Sequence, residues 1–164
     1  MNHKWCTDFT YLFLKNGEVC YNCSIIDLYD RSIIAGVTDR QISRCPAIRT
    51  LKKALESQPQ IKEELILHSD QGCRYTSKAF VGYCESVHVS QSMSKAGCPY
   101  DNAPMERYFN TLKNECVNLC DFQTEKHCIR RWKNLLMSRI TLSVPTAIMD
   151  TVPPVRHGLH QYKN

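Results

Sequence analysis

The sequence has no run of about 18 consecutive apolar residues, the length a helix needs to cross a bilayer, and this excludes a helical membrane span. Its start, Met1-Asn2-His3-Lys4-Trp5-Cys6, lacks the apolar core of a secretory signal, so a cytoplasmic protein is expected. No internal repeat or low-complexity tract is present, which removes solenoids and biased linkers. No G-x-S-x-G elbow surrounds Ser69, so that serine is not read as a hydrolase nucleophile. No basic tail is present either. The lysine and arginine clusters are short (Lys52-Lys53 and Arg130-Arg131), and the net charge of +5 permits an anionic partner without requiring one.

Cysteine is the residue in excess, with ten in 164 residues. Cys20 and Cys23 form one C-x-x-C, but their odd spacing puts them on opposite faces of a strand. The nearest further candidates are Cys116, Cys120, His127 and Cys128, and structural zinc needs four converging ligands. Reduced, mostly buried thiols are the expectation. With 43% apolar and 23% charged residues, the composition is that of one globular domain with a sizeable core.

The chain opens with strand patterning. Residues 4 to 14 are dense in aromatic and β-branched types and end at Lys15-Asn16-Gly17-Glu18, a hairpin signal. Val19 to Tyr29 reads as the return strand, Asp30-Arg31 as a turn, and Ser32 to Val37 as a third strand. Asp8 falls mid-strand on the face of Cys6, Thr10 and Leu12. A carboxylate there either meets a wet face of the sheet or is compensated by something nearby.

Cys45-Pro46 opens a helix with Ile48, Leu51 and Leu55 on one face. Glu64 to His68 is a short apolar strand running into Ser69-Asp70-Gln71-Gly72. An acid at the carboxyl end of a strand lies where α/β folds build sites. Thr76-Ser77 caps a helix carrying Phe80, Val81, Cys84 and Val87; a strand, Val87 to Gln91, and a loop, Ser92 to Tyr100, come next.

Asp101 or Asn102 then serves as N-cap for a long helix, with Pro104 just inside its start. Met105, Phe109, Leu112, Cys116 and Leu119 form its apolar stripe. Glu106 sits at the edge of that stripe in the first turn, where the helix dipole favours a carboxylate. Lys113 stands seven residues later, near the same meridian. A further helix begins at Thr124-Glu125 with Cys128, Ile129, Trp132, Leu135 and Leu136 inward, and Pro145, Pro153 and Pro154 break up the C-terminal stretch. The reading divides the chain into a core, residues 1–140, and an irregular tail, residues 141–164, whose end is expected to be poorly ordered.

Three acids stand out by position: Asp8, Asp70 and Glu106, with thirty-five residues between the last two. The stretches around them are Trp5 to Tyr11, Ile26 to Arg31, His68 to Ser77, Ser92 to Lys95 and Asp101 to Glu115. In this order and spacing they resemble the catalytic core of retroviral-type integrases, and more closely that of bacterial insertion-sequence transposases. The resemblance spans roughly residues 4 to 125. It implies an RNase H-like α/β fold, a five-stranded mixed sheet (three antiparallel strands, then two parallel) with helices on both faces.

The resemblance further implies that Asp8, Asp70 and Glu106 are a catalytic, metal-binding Asp-Asp-Glu triad for two Mg²⁺ or Mn²⁺ ions. Asp8 would bridge the ions, with Asp70 and Glu106 holding one each. Such ions, about 3.5–4 Å apart, activate an attacking oxygen and stabilise the leaving one. The implied reaction is cleavage at a transposon end by water, then attack of the freed 3′-hydroxyl on target DNA. Lys113, Arg74, Lys95 and Asn110 are the expected DNA contacts. His68 reads as a structural residue, and Asp27 and Asp30 as turn residues. The expected partners are DNA ends and target, further copies of the chain, and a separate helix-turn-helix region or protein for end recognition. Matching is poor after Trp132. Two rival readings stand beside the transposase core: a non-catalytic remnant binding nucleic acid or a partner transposase, and an RNase H-type nuclease.

Overall fold

A computed structural model of the chain describes residues 3–14, 16–40, 44–61, 64–95, 102–114 and 130. Strand β1 (Lys4–Phe13) turns through Asn16-Gly17 into β2 (Val19–Asp27), and β3 (Ile33–Asp39) completes an antiparallel meander. Gly17 takes the positive φ of 82° that closes the first hairpin, and Leu14 N donates to the Glu18 carbonyl across it at 2.9 Å. At the second turn Asp27 and Asp30 each accept a backbone N–H two residues on, from Tyr29 and Ser32, both at 2.8 Å. They are turn residues, as the sequence indicates.

Helix α1 (Arg44–Ser57) leads to β4 (Leu65–Ser69), α2 (Lys78–Ser86), β5 (Val89–Met93) and α3 (Ala103–Leu112). β4 pairs parallel with β1 and β5 pairs parallel with β4, giving the order β3-β2-β1-β4-β5. The first strand of the chain is therefore the middle of the sheet. Ser77 caps α2 by accepting from Phe80 N. The strand expected from Val87 starts at Val89 instead, because Val87 and His88 close the end of α2, the latter at a φ of 56°.

Side chains alternate across the sheet, so two cores form. On one face Trp5, Cys23, Ile25, Leu65 and Leu67 pack with Leu51 and Ala54 of α1 and with Phe80 and Cys84 of α2. On the other, Cys6 and Ile26 pack with Met105, Tyr108, Phe109 and Leu112 of α3. The apolar stripe of α3 thus also includes Tyr108, three residues on from Met105. Helices cover both faces, and β1 is sandwiched between the cores. The helix expected from Thr124, the Cys116–Cys128 group and the tail lie outside the described residues.

Among the described residues Cys6, Cys20, Cys23 and Cys84 are buried cysteines outside any disulfide, and Cys73 is exposed. Burial pushes Cys23 up to about 11 and Cys84 up to about 12.

Candidate active site

The parallel pairing of β1 with β4 runs from Lys4↔Ile66 to Cys6↔His68. Two residues further along each strand stand Asp8 and Asp70, level with one another where the two chains part. Asp8 is half-buried on the Cys6 face of β1, the face on which α3 packs. Its Oδ1 accepts from Phe9 N at 2.7 Å and its Oδ2 from the Asn102 side-chain amide at 2.9 Å.

Asp70 is half-buried just beyond β4, and its Oδ1 accepts from Gly72 N at 3.0 Å. A Cβ on Gly72 would stand 2.9 Å from that same oxygen and 3.2 Å from Oδ2, so glycine leaves the room in which the carboxylate rests. The loop is pinned from below by Tyr75, a fully buried ring whose N–H donates to the Gly72 carbonyl and whose hydroxyl meets Thr7 Oγ1 of β1 at 3.3 Å. Tyr75 also packs edge-on against Phe80. Nothing in the sequence pattern marks Tyr75 as the post of this loop, because the ring belongs to a loop and not to a periodic face.

Gly72→Ala tests that fit. The added methyl meets a movable carboxylate rather than backbone, so the fold is expected to hold with a melting temperature within a few degrees of wild type. Asp70 is expected to be displaced, weakening stabilisation by added Mn²⁺. Thermal melts with and without the metal measure both effects.

Glu106 lies in the first turn of α3, next to the fully buried Met105, and is itself exposed. Asp8 feels both other acids: burial first, then the charges of Asp70 and Glu106, raise its carboxyl from 3.8 to about 6, against the Phe9 N–H and the Arg74 charge, which lower it. The fold therefore makes the three acids electrostatic neighbours. It does not pack them into a ligand cluster: among the described residues no three His, Cys, Asp or Glu side chains stand grouped to hold an ion. Together the three carboxylates would offer the oxygen chemistry that hard divalent cations take. The raised carboxyl of Asp8 is a negative charge short of compensation.

The other sequence candidates separate. The guanidinium of Arg74 lies 4.6 Å over the Phe9 ring, one residue from Asp8, and acts on the Asp8 charge. Lys95 is exposed just past β5, Asn110 is exposed on α3, and Lys113 is half-exposed at the end of that helix. His68 has hydroxyls on both ring nitrogens, Ser92 Oγ at 3.1 Å and Ser94 Oγ at 3.2 Å, which makes it a link between β4 and the end of β5. One expectation is corrected. Asn102 holds the N-cap position but its side chain makes no capping bond, because the amide is turned onto β1, where it meets Asp8 and also accepts from the Cys6 thiol at 2.9 Å. Spacing identifies a capping residue type; it does not reveal a competing partner far away in sequence.

An acid on the central strand and an acid just past its parallel neighbour stand at one end of the mixed sheet, and the helix packed on the Asp8 face carries a third, exposed acid. Residues 1–99 match the integrase core domain family, and the chain belongs to it. That match includes Asp8 and Asp70 and ends before Glu106. Among curated relatives, the transposase for insertion sequence element IS904 of Lactococcus lactis is 36% identical over 124 residues, covering 75% of this chain and 48% of that protein. Transposase InsF for insertion sequence IS3A of Escherichia coli is 33% identical over 117 residues, covering 71% of this chain and 40% of its own length. The chain thus spans less than half the length of these relatives.

Solved structures share the RNase H-like fold. The HTLV-2 integrase catalytic core in complex with magnesium superposes with a TM-score of 0.59 at 19% identity, covering 84% of each chain. The catalytic domain of Mos1 mariner transposase gives 0.68 at 11% identity, covering 85% of this chain and 72% of that one. The five-stranded mixed sheet with helices on both faces is the fold that the sequence blocks imply.

Proposed function

We propose that the chain is the catalytic core of an insertion-sequence transposase that cuts and joins DNA strands with Asp8, Asp70 and Glu106 as its metal-holding acids. The observation that carries this reading is the placement of Asp8 and Asp70 at the same end of the parallel pair β1 and β4, under the helix that bears Glu106, with burial and the other two acids disfavouring the Asp8 anion. A divalent cation relieves that repulsion. When bound, Mg²⁺ or Mn²⁺ supplies Lewis-acid activation of the attacking oxygen and charge stabilisation of the leaving one.

The chain's own residues set the stage. Asp8 is fixed on the rigid central strand by two hydrogen bonds. Asp70 is held by a loop anchored on Tyr75. Glu106, exposed on α3, keeps the rotamer freedom to turn toward Asp8. Arg74 over Phe9 places a cation beside the acids, where a phosphodiester has to lie, and Lys113, Lys95 and Asn110 offer further backbone contacts. Two ions, DNA ends and target as substrates, self-association and a separate end-recognising helix-turn-helix region complete the proposal. The relatives are transposases, and the HTLV-2 core is described in both trimeric and dimeric forms.

A second reading is favoured by the exposure of Glu106, which stands in no ligand group with the other two acids among the described residues: a DNA-binding remnant without cleavage. The two are separated by incubating the full chain with supercoiled and linear DNA. The core is expected to nick or join DNA in Mn²⁺ or Mg²⁺ and to stop on chelation. A remnant shows only binding that weakens steeply with salt. Degradation confined to the RNA strand of a hybrid would point instead to an RNase H-type nuclease. For the core, Arg74→Ala is expected to flatten the dependence of log affinity on log salt by about one unit, the mark of one lost phosphate contact.

A further inference from the structure

We propose that Asn102 is a positioning residue that holds the first turn of α3, and with it Glu106, within reach of Asp8 by clipping the start of α3 to the middle of β1. The inference rests on reading those acids as one metal site. Asn102 is 7% exposed, and its amide makes two hydrogen bonds to one strand, Nδ2 to Asp8 Oδ2 and Oδ1 from Cys6 Sγ, both at 2.9 Å. Chemistry fixes which end faces which partner. An ionised carboxylate only accepts, so the amide nitrogen must meet Asp8, and the remaining oxygen meets the thiol, which donates. Cys6 and Asp8 are two residues apart on the same face of β1, and a single planar amide bridges both.

The apolar contacts of α3 with the sheet run through Met105, Tyr108, Phe109 and Leu112. Such contacts are non-directional: they hold the helix close but resist sliding and rolling weakly. The Asn102 clip is directional and fixes both the rotation and the axial position of the first turn. Glu106 lies four residues further on, one turn up the same side of the helix. Losing the clip therefore moves Glu106 relative to Asp8 and frees the Asp8 carboxylate to rotate. Cys6 takes part by locking the amide: without its S–H the Asn102 side chain has one partner and an unsatisfied buried oxygen.

The test is thermal melting of the full chain in rising Mn²⁺, comparing wild type with Asp8→Asn, Asn102→Ala, Cys6→Ala and Cys6→Ser. The metal midpoint, the Mn²⁺ dissociation constant fitted from the logarithmic rise of melting temperature with concentration, is expected to increase about ten- to a hundredfold in Asn102→Ala, the usual effect of removing a group that orients a metal-binding carboxylate. Cys6→Ala is expected to shift it in the same direction and Cys6→Ser, which keeps the donor, to return it to the wild-type value. A purely structural role lowers the metal-free melting temperature and leaves the metal midpoint alone, so an unchanged midpoint in both alanine variants overturns the proposal while the acid site stands. Should Asn102→Ala fail to fold, the Cys6 pair decides. A wild type as indifferent to Mn²⁺ as Asp8→Asn overturns the acid site and the clip together.

Discussion

Asp70→Asn is expected to reduce metal-dependent DNA nicking by about a thousandfold or more. A metal-held carboxylate contributes through the charge it brings to the cation, and that electrostatic stabilisation is worth several kcal/mol of barrier, with about 1.4 kcal/mol for each factor of ten. The substitution is well suited to the question because it spares the loop. Asp70 Oδ1 accepts from Gly72 N, and an amide oxygen in the same place accepts equally well. The Tyr75 anchor is untouched. A folded variant with a melting temperature close to wild type and no detectable nicking is therefore the expected pair of results, read by plasmid nicking under Mn²⁺ alongside the melts. Nicking at the wild-type rate would remove Asp70 from the chemistry.

The second large effect is on stability and its dependence on pH. Asp8 has a folded-state carboxyl at about 6 against 3.8 for the free group, with burial the leading cause. Because the folded value lies above the unfolded one, the protonated form is the one folding prefers. Below about pH 4 the residue imposes no penalty. The penalty grows as pH rises toward 6 and is complete above it, about 3 kcal/mol for a shift of roughly two units. Asparagine cannot ionise. In the absence of metal, the stability of Asp8→Asn relative to wild type is therefore expected to improve by about that amount between pH 4 and pH 7, as measured by denaturant unfolding of both proteins at each pH. Lost acceptance from Asn102 Nδ2 offsets both ends of the comparison, leaving the pH dependence intact. Adding Mg²⁺ at pH 7 is expected to stabilise wild type and not the variant. A difference that stays flat with pH would show that the acid is comfortably ionised in the fold.

Much of this arrangement was legible in the residues. The density of aromatic and β-branched residues from 4 to 14 and the Asn-Gly turn after it gave the meander, and Ser77 announced α2 by a capping bond that is present. The acids were legible as positions: mid-strand, strand end and first helical turn. Hidden were the contacts that join distant segments. Tyr75 reaching Thr7, and Asn102 reaching Cys6 and Asp8, result from how α3 and the β4–α2 loop settle on β1, which no local pattern encodes. Glu106 shows the same boundary. Its place on the helix was readable, while its exposure and its distance from a shared ligand cluster with Asp8 and Asp70 depend on packing.

The seat of Asp8 between two cores makes the strand intolerant of a frame slip. Deleting one residue from Thr10 to Phe13, between Asp8 and the turn that sets the register, would carry the carboxylate to the opposite side, the face packed by Leu51, Phe80 and the Tyr75 ring, where an anion meets a mostly apolar core. Removing two would preserve sidedness and forfeit only reach. Length changes in this strand should therefore obey an odd–even rule, with odd ones silencing the chain and even ones merely shortening it.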